Sequence, residues 1–302
     1  NQKLKTSRLK MSQQNNGFIY IGSLTKPYYD AAVMSAESVK DYWPEAKITL
    51  FTHEPWVNEK RDSKIFDKII TKIPAHCRAK LWALDQTPYD KTAYMDADTY
   101  CEHEDVKYIF DELPDDYDMV MTENRPYNAK VVYFTKEKEL RHYKDEDKKL
   151  IWEGGDPEGE PRYVVHSWEP KANNGVYRMR WHCGMFIYNN KPHTLEMLHN
   201  WYLNYKEQIV SKKNWREKFE HPSSLWFWDT YAFWRTNFYK NYEVKIKEIH
   251  PKWNFVKGYR DWELEGTTKV FHHYTIPGKP QDEGLIDDPN ISNTVGNFEV
   301  LR

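Results

Sequence analysis

Short apolar runs recur along the N-terminal third of the chain, and a helical pattern follows the first of them. The runs from Phe18 to Leu24 and from Ile48 to Thr52 have the length and composition of buried strands. Between them, the stretch from Pro27 to about Tyr42 has apolar residues at helical spacing. This order predicts a βαβ unit, which is the usual opening of an α/β fold.

The same alternation continues through most of the chain. Further strands are predicted at 68–73, 92–95, 118–122, 185–188, 244–249 and 269–274, and further helices at 79–86, 192–205 and 226–238. Strands that alternate with helices favour a mostly parallel central sheet with helices on both faces. We therefore predict an α/β, Rossmann-like fold whose ligands bind beyond the carboxyl ends of the strands.

A charged and irregular segment interrupts this alternation. It includes a helix-like stretch from Lys136 to Trp152 and a turn-rich sequence at 154–161. With 302 residues, the chain has the length of one α/β domain with embellishments. We expect a single domain in which residues from about 125 to 180 form an insertion or lid, and in which 286–302 are a polar surface tail.

Charge and composition exclude several classes of partner. The 44 basic and 46 acidic residues give a formal net charge of −2, and no basic run suits a nucleic-acid backbone. No stretch approaches the roughly 18 apolar residues of a membrane span. Three widely spaced cysteines match neither a disulfide framework nor a zinc pattern, so we expect reduced thiols and a cytoplasmic protein. They are Cys77, Cys101 and Cys183.

Aromatic residues are abundant, at 16% of the chain with 13 Trp and 22 Tyr. Their rings can stack on sugars, although filling the core is the better explanation for any single Trp. The segment from Trp152 to Trp181 combines such rings with turns, and variable loops on a rigid sheet often carry specificity. This segment is therefore a candidate for contacts with a second substrate.

The strongest chemical signal is the acidic triplet Asp96-Ala97-Asp98 at the end of a predicted strand. In extended backbone, residues i and i+2 point the same way, so both carboxylates can face one point. Two hard oxygen ligands suit Mg²⁺ or Mn²⁺, which keep open positions for the oxygens of a diphosphate. Alone the triplet is weak, because Asp-x-Asp also occurs in solvated turns.

The sequence around the triplet carries a longer pattern. Lys80-Leu81 opens a predicted helix, and the run from Tyr89 to Thr99 combines a Tyr-Asp-Lys turn with an apolar strand that ends in Asp-Ala-Asp-Thr. This pattern resembles the glycogenin-like family, which are retaining glycosyltransferases of the GT-A fold. The resemblance implies a GT-A fold, a UDP-sugar donor, a Mn²⁺ or Mg²⁺ cofactor, and transfer of a hexose to an unidentified glycan, protein or small-molecule acceptor.

Three more segments resemble the same family in the same order. They are the region of Ser23, Thr25 and Tyr28, the strand that begins Cys183-Gly184, and the pair His273-Tyr274 with Lys279-Pro280. The resemblance implies a nucleotide-binding half at about 16–124 and an acceptor-binding half at about 181–285. The implied donor-binding residues are Ser23, Thr25, Tyr28, Lys80, Asp96, Ala97, Asp98, Gly184 and Lys279.

The C-terminal match adds a metal ligand and a catalytic cation. The resemblance implies that His273 completes a metal site with Asp96 and Asp98, and that Lys279 stabilises the leaving diphosphate. His272 is adjacent and stays open as the ligand, since only one of the two can face the site from a strand. The glycine of this loop falls at Gly278, and Gln281 replaces a tryptophan, so the loop is expected to take a different path.

The resemblance also implies a catalytic carboxylate at Asp229, where the family has Asp-Gln and this chain has Asp229-Thr230. Asp229 is expected to bind sugar hydroxyls or stabilise an oxocarbenium-like centre, or alternatively to be a plain helix cap. The resemblance favours retention of configuration. Carboxylates of the insertion, Glu153, Asp156 and Glu169, leave inversion open, because an inverting enzyme needs a carboxylate base.

Other functions fit fewer of these residues. A haloacid-dehalogenase-type phosphatase also has an Asp-x-Asp after an apolar strand, but Tyr100 occupies the place of its Thr or Val. A catalytically silent glycan-binding protein would have no need of Lys80, His273 and Lys279 beside the triplet. A nucleotidyltransferase would need a Gly-rich, basic loop after the first strand, where this chain has one glycine and one lysine.

Overall fold

The fold was analysed in a computed structural model of the chain. The structure describes residues 15–76, 78–123, 130–134, 140–143, 163–164, 177–178, 181–210, 229–230, 232–233, 236, 242, 244–256 and 269–272. The predictions for Cys77, His273, Lys279, Gly278, Gln281, the carboxylates of the insertion and the polar tail lie outside these residues.

The strands predicted in the N-terminal third are present, and further strands were not predicted from the sequence. The strands are β1 (Gly17–Gly22), β2 (Ile48–Thr52), β3 (Lys68–Ile70), β4 (Lys91–Met95), β5 (Thr99–Cys101), β6 (Met119–Glu123), β7 (Lys130–Phe134), β8 (Leu140–Tyr143), β9 (Tyr163–Val164), β10 (Tyr177–Arg178), β11 (Trp181–Asn189), β12 (Ile246–Glu248), β13 (Phe255–Val256) and β14 (Val270–His272). The helices are α1 (Lys26–Tyr42), α2 (Glu59–Asp62), α3 (Lys80–Ala83) and α4 (Pro192–Val210), with 3₁₀ helices at Glu54–Trp56, Leu84–Gln86, Glu104–Glu112 and Pro251–Trp253.

A seven-stranded sheet forms the centre of the described structure. Its strand order is β12-β6-β11-β4-β1-β2-β3. Each neighbouring pair is parallel except the two that involve β11, which runs antiparallel to both β4 and β6. The predicted α/β class with a mostly parallel sheet is therefore confirmed.

Helices cover both faces of this sheet because successive strand residues point to opposite sides. Phe18 and Tyr20 on β1 join one core cluster with the apolar face of α1, whereas Ile19 between them joins a second cluster. That second cluster includes Leu81 of α3 and Trp201 of α4. Full burial of an aliphatic or phenylalanine side chain contributes about 1.5–3 kcal/mol, so these two cores hold the helices against the sheet.

The chain turns sharply from β1 into α1. A Cβ at Gly22 would lie 2.6 Å from the Cα of Tyr29, so glycine lets the helix pack directly on the strand end. Leu24 has a φ of 72°, in the left-handed region. Pro27 follows in the first turn of α1, where a missing N–H costs little. This turn places residues 23–28 at the carboxyl end of β1.

Two smaller sheets accompany the central one. Strands β13, β14 and β5 form a three-stranded sheet, and β5 begins immediately after the acidic triplet. Strands β10, β7 and β8 form another, with β9 paired to β7. The second of these lies within the predicted insertion at about 125–180.

The structure corrects the predicted helix between Lys136 and Trp152. Leu140–Tyr143 is a strand, β8, and it pairs antiparallel with β7 in the register Leu140↔Phe134. Pairing with the preceding strand supplies backbone hydrogen bonds that the helical pattern of the segment does not reveal. The strand predicted at 185–188 is also longer, because β11 begins at Trp181 and ends at Asn189.

Two of the three cysteines are within the described residues. Cys101 and Cys183 are buried free thiols. In the part of the chain that the structure describes, no helix is long and apolar enough to cross a membrane.

Candidate functional site

An open cleft lies at the carboxyl ends of β1 and β4. Its lining brings together six of the residues predicted to bind a donor substrate, namely Ser23, Tyr28, Lys80, Asp96, Ala97 and Asp98. It also contains four residues that were not predicted, namely Ile21, His76, Arg78 and Tyr94. The position agrees with the expectation that ligands of such sheets bind beyond the carboxyl ends of the strands.

The acidic triplet forms a tight turn between β4 and β5. The backbone N–H of Asp96 donates to the carbonyl of Gly184 at 2.8 Å, which continues the ladder with β11. The carbonyl of Asp96 accepts the N–H of Thr99 at 3.0 Å and the hydroxyl of the same residue at 2.8 Å. Asp98 is only 4% exposed. Both carboxylates are thus held at the wall of the cleft by their backbone.

Gly184, predicted as a donor-binding residue, contributes through this backbone contact and is outside the cleft lining. Thr25, also predicted, is outside the lining and precedes α1 as its N-cap residue. The Thr25 Oγ1 is buried and, among the described residues, finds no hydrogen-bond partner. The structure therefore places both residues beside the cleft rather than in its lining.

Lys80 lies at the floor of the cleft with its ammonium surrounded by acceptors. Its Nζ is 2.6 Å from Asp229 Oδ2 and 3.3 Å from Asp96 Oδ1. It also donates to the carbonyl of Cys183 at 2.9 Å. The contacts with Asp96 and Cys183 are hydrogen bonds, and the contact with Asp229 is an ion pair. Burial lowers the pKa of Lys80, but the two carboxylates raise it more, and the net shift is upward.

Tyr94 contacts the carboxylate of Asp96, which Lys80 also contacts. Its hydroxyl donates to Asp96 Oδ1, and its ring lies beneath the ammonium of Lys80, with 5.2 Å from Nζ to the ring centroid. Burial raises the pKa of Tyr94 well above its usual value, and the charge of Asp96 raises it further. Tyr94 therefore stays protonated and remains a hydrogen-bond donor to Asp96.

Asp229 lies outside the cleft lining but contacts two cationic side chains that belong to it, Lys80 and Arg78. Besides the ion pair with Lys80, its Oδ1 lies 3.9 Å from Arg78 Nε. The backbone carbonyl of Asp229 accepts the indole N–H of Trp201 at 2.8 Å, which fixes this segment against α4. Burial raises the pKa of Asp229, but Lys80 and Arg78 outweigh it and the net shift is downward. Asp229 is therefore ionised.

Ser23 has a hydrogen-bond arrangement that the sequence did not predict. Its hydroxyl donates to the carbonyl of Pro74 at 2.6 Å. The same oxygen lies 3.2 Å from His53 Nε2 and accepts the backbone N–H of His76 at 3.3 Å. Because the only hydroxyl proton goes to Pro74, His53 must donate from Nε2. Ser23 thus joins the ends of β1 and β2 to the loop at 74–76.

We expect Ser23→Ala to lower the free energy of unfolding by about 1–3 kcal/mol, because buried groups on Pro74 and His76 would lose their partner. Urea denaturation measures this change. Ser63→Ala is a matched control, since Ser63 is exposed and its hydroxyl donates only to the local carbonyl of Glu59. Unchanged stability together with weakened nucleotide binding would show instead that Ser23 contacts the ligand directly.

His76 and Arg78 were missed because no motif marks them. His76 is buried, its Nδ1 accepts the backbone N–H of Arg78 at 2.9 Å, and burial lowers its pKa to about 3. It is therefore neutral at physiological pH, with its proton on Nε2. The signal that could have found both residues is their position within four residues of Lys80, on the loop that leads into α3.

The third metal ligand predicted from the sequence, His273, lies outside the described residues. Strand β14 nevertheless ends beside the acidic turn, because His272 pairs with Thr99 in the antiparallel register with β5. Within the described residues, no group of three or more His, Cys, Asp and Glu side chains could hold a metal. Asp96 and Asp98 offer the hard oxygen atoms that Mg²⁺ and Mn²⁺ prefer, so the described pair fits such an ion as part of its ligand set.

No protein-family model matches the chain. No curated protein sequence matches it either. Solved structures with a similar fold include the glycosyltransferase GlyE of Streptococcus pneumoniae TIGR4, at 12% identity and a TM-score of 0.48, over 86% of this chain and 55% of that chain. The chain therefore spans about half the length of GlyE.

Two further structures illustrate the range of these matches. The galactosyltransferase LgtC, in complex with donor and acceptor sugar analogues, is 12% identical with a TM-score of 0.41, over 95% of this chain and 97% of that one. A putative glucose-1-phosphate thymidylyltransferase from Bacillus anthracis is 10% identical with a TM-score of 0.35, over 78% and 87%. Similarities this low carry no argument about function, so the function must be argued from the residues of the cleft.

Proposed function

We propose that this chain is a metal-dependent glycosyltransferase of the GT-A type that transfers a hexose from a UDP-sugar to an acceptor. The observation that carries this proposal is the convergence of Asp96, Asp98 and Lys80 in one cleft at the carboxyl end of the sheet. These three residues are separated by up to 18 positions in sequence, and they belong to the longer pattern that resembles the glycogenin-like family.

The charges around the cleft support a requirement for a divalent cation. The carboxylates of Asp96, Asp98 and Asp229 carry three negative charges, and Lys80 and Arg78 carry two positive ones. These five described groups thus sum to one negative charge, which repels a diphosphate. Mn²⁺ or Mg²⁺ held by Asp96 and Asp98, with His273 or His272 as the proposed third ligand, would reverse this balance and neutralise the departing nucleoside diphosphate.

The described residues supply binding and orientation in this proposal. Tyr28 and Ala97 line the cleft at the places where a nucleotide is proposed to lie. The hydroxyl of Tyr94 and the ammonium of Lys80 both contact Asp96 Oδ1 and so fix the orientation of that carboxylate. The proposed contact of Lys279 with the diphosphate follows from the resemblance.

Retention of configuration is the proposed stereochemical outcome. An inverting enzyme needs a carboxylate that takes a proton from the acceptor hydroxyl. Asp229, the described carboxylate proposed to lie near the reacting carbon, is ion-paired with Lys80, and its pKa is lowered. A carboxylate with a lowered pKa is a weak base, so Asp229 is better suited to electrostatic stabilisation of the reacting sugar.

The test is release of the nucleoside diphosphate from UDP-glucose, UDP-galactose, UDP-N-acetylglucosamine and GDP-mannose, with Mn²⁺ or with EDTA. We expect the wild type to release UDP from one UDP-sugar in the presence of Mn²⁺ and to lose this activity in EDTA. A wild type that neither turns over any of these sugars nor binds UDP with Mn²⁺ would contradict the proposal and favour the silent glycan-binding protein.

A matched pair of variants identifies the third metal ligand in the same assay. We expect His273→Ala to lose metal-dependent release, because the resemblance places the ligand at this position, and His272→Ala to retain it. The opposite result would assign the ligand to His272 while leaving the proposed function intact.

A further inference from the structure

The turn between β1 and α1 contains backbone strain beside the cleft. Leu24 has a φ of 72° and is, among the residues that the structure describes, the one non-glycine residue with a positive φ. Across it, the backbone N–H of Thr25 donates to the carbonyl of Ser23 at 2.9 Å. A hydrogen bond from residue i+2 to residue i around a positive φ is the rare, strained form of the γ-turn. For leucine this backbone conformation is costly, because its Cβ crowds the following carbonyl oxygen.

The next residue, Thr25, has an unfavourable arrangement of its own. It is the N-cap residue of α1, but its side chain makes no capping hydrogen bond. An N-cap hydroxyl normally accepts a backbone N–H from the second or third helical residue, and the second residue here is Pro27, which has none. The Thr25 Oγ1 is buried and has no hydrogen-bond partner among the described residues. A buried hydroxyl that makes no hydrogen bond destabilises the state in which it occurs.

The segments on both sides hold this turn in place. The Ser23 hydroxyl is fixed by its hydrogen bonds with Pro74 and His76. At the end of β1, a Cβ at Gly22 would lie 2.6 Å from the Cα of Tyr29, so α1 packs directly against the strand. A strained backbone persists only where its surroundings determine it in this way, and such residues cluster at ligand sites and switch regions.

We propose that the turn formed by Ser23, Leu24 and Thr25 rearranges when a nucleotide binds in the cleft, so that Leu24 leaves the positive-φ region and the Thr25 hydroxyl gains a hydrogen-bond partner. This inference rests on the proposed function, because it requires that the cleft binds a nucleotide. The location supports it, since Ser23 and Tyr28, at either end of the segment, both line the cleft. The free protein holds the strained conformation, so relief of the strain adds to the affinity for the ligand.

Calorimetry of the full chain, by thermal scanning without ligand and by titration with UDP and Mn²⁺, tests this inference. We expect Leu24→Gly to raise the Tm of the free protein by about 1–3 °C, because glycine adopts a positive φ without strain. The same variant should bind UDP about 5- to 30-fold more weakly, because relief of strain no longer contributes to binding. A turn with a purely structural role would not change stability and affinity in opposite directions.

Leu24→Ala is the matched control, because alanine keeps the Cβ that makes a positive φ costly and removes only the rest of the side chain. It should bind UDP within about 2-fold of the wild type. Thr25→Val provides an independent measurement, since it removes the hydroxyl with little change in shape. The Tm of free Thr25→Val should not fall, whereas its UDP binding should weaken by about 5- to 10-fold.

Three results would overturn the inference while the proposed function stands. The first is equal UDP affinity of Leu24→Gly and the wild type. The second is an equal loss in Leu24→Gly and Leu24→Ala, which would make the side chain responsible rather than the backbone. The third is a lower Tm of free Thr25→Val, which would show that the hydroxyl is already satisfied. Failure of the wild type to bind UDP or GDP, with or without Mn²⁺, would reject the proposed function and this inference with it.

Discussion

An Asp98→Asn variant is expected to lose at least about 100-fold in kcat for sugar transfer, together with most of its affinity for Mn²⁺. Asparagine preserves the shape of the side chain but removes the charge that is proposed to bind the cation. Asp98 is 4% exposed at the wall of the cleft, so water cannot easily take over its role. A loss of about 3 kcal/mol of transition-state stabilisation corresponds to this change in rate.

Two measurements separate this effect from misfolding. Mn²⁺ affinity is followed by the electron paramagnetic resonance signal of the free ion, and kcat is measured at saturating UDP-sugar. Asp115→Asn makes the same chemical change at a side chain that is 90% exposed, and it should leave both quantities unchanged. Wild-type Mn²⁺ affinity in Asp98→Asn would show that Asp98 is not a metal ligand.

The second large effect concerns stability and the buried ion pair. Lys80→Met is expected to lower the free energy of unfolding by about 3–5 kcal/mol, because Asp229 would remain buried and ionised without its nearest counter-ion. The other described contacts of this carboxylate are Arg78 Nε at 3.9 Å and the backbone N–H of Thr230 at 3.0 Å, and neither replaces an ammonium at 2.6 Å. Urea denaturation at neutral pH measures the loss.

A double-mutant cycle then tests whether the buried charge is the cause. Adding Asp229→Asn to Lys80→Met removes the uncompensated carboxylate, so the double variant should be more stable than Lys80→Met alone. Lys26→Met provides the exposed control and should change stability by less than about 0.5 kcal/mol. Additive losses in the double variant would mean that the pair does not couple.

Local sequence patterns were sufficient for the elements that consist of a single apolar run. Strand β2 was predicted with its observed limits, Ile48–Thr52, and all five of its residues are buried. Helix α1 begins at Lys26, next to the Pro27 that marked it, and ends at the predicted Tyr42. Such segments carry their own signal, because burial favours apolar residues along a strand and on one face of a helix.

Features that depend on the pairing of one segment with another could not be predicted from local sequence patterns. Nothing in the residues of β11 reveals that it runs antiparallel to β4, since the apolar run at 185–188 would suit either direction. Strand β8 was mistaken for a helix because its pairing with β7, not its own pattern, decides its conformation. Chain direction and strand pairing are tertiary properties, which single-segment patterns do not encode.

The same distinction applies to the candidate site. The triplet and Lys80 were found from motifs, and the structure places both in the cleft. The hydrogen-bond and ion-pair partners of Ser23 and Lys80 could not be predicted from the sequence. These partners, Pro74, Cys183 and Asp229, come from other segments of the chain. Residue type indicates what a side chain can do, but its neighbours decide whether it is available to a ligand.

This difference in availability has a consequence for protein engineering. Ser23 and Lys80 connect separate segments, so a library that randomises them would mostly yield destabilised protein. Tyr28, Arg78 and Ala97 line the same cleft, and replacing them would alter the surface presented to a ligand. Directed evolution of donor preference should therefore begin with those three codons.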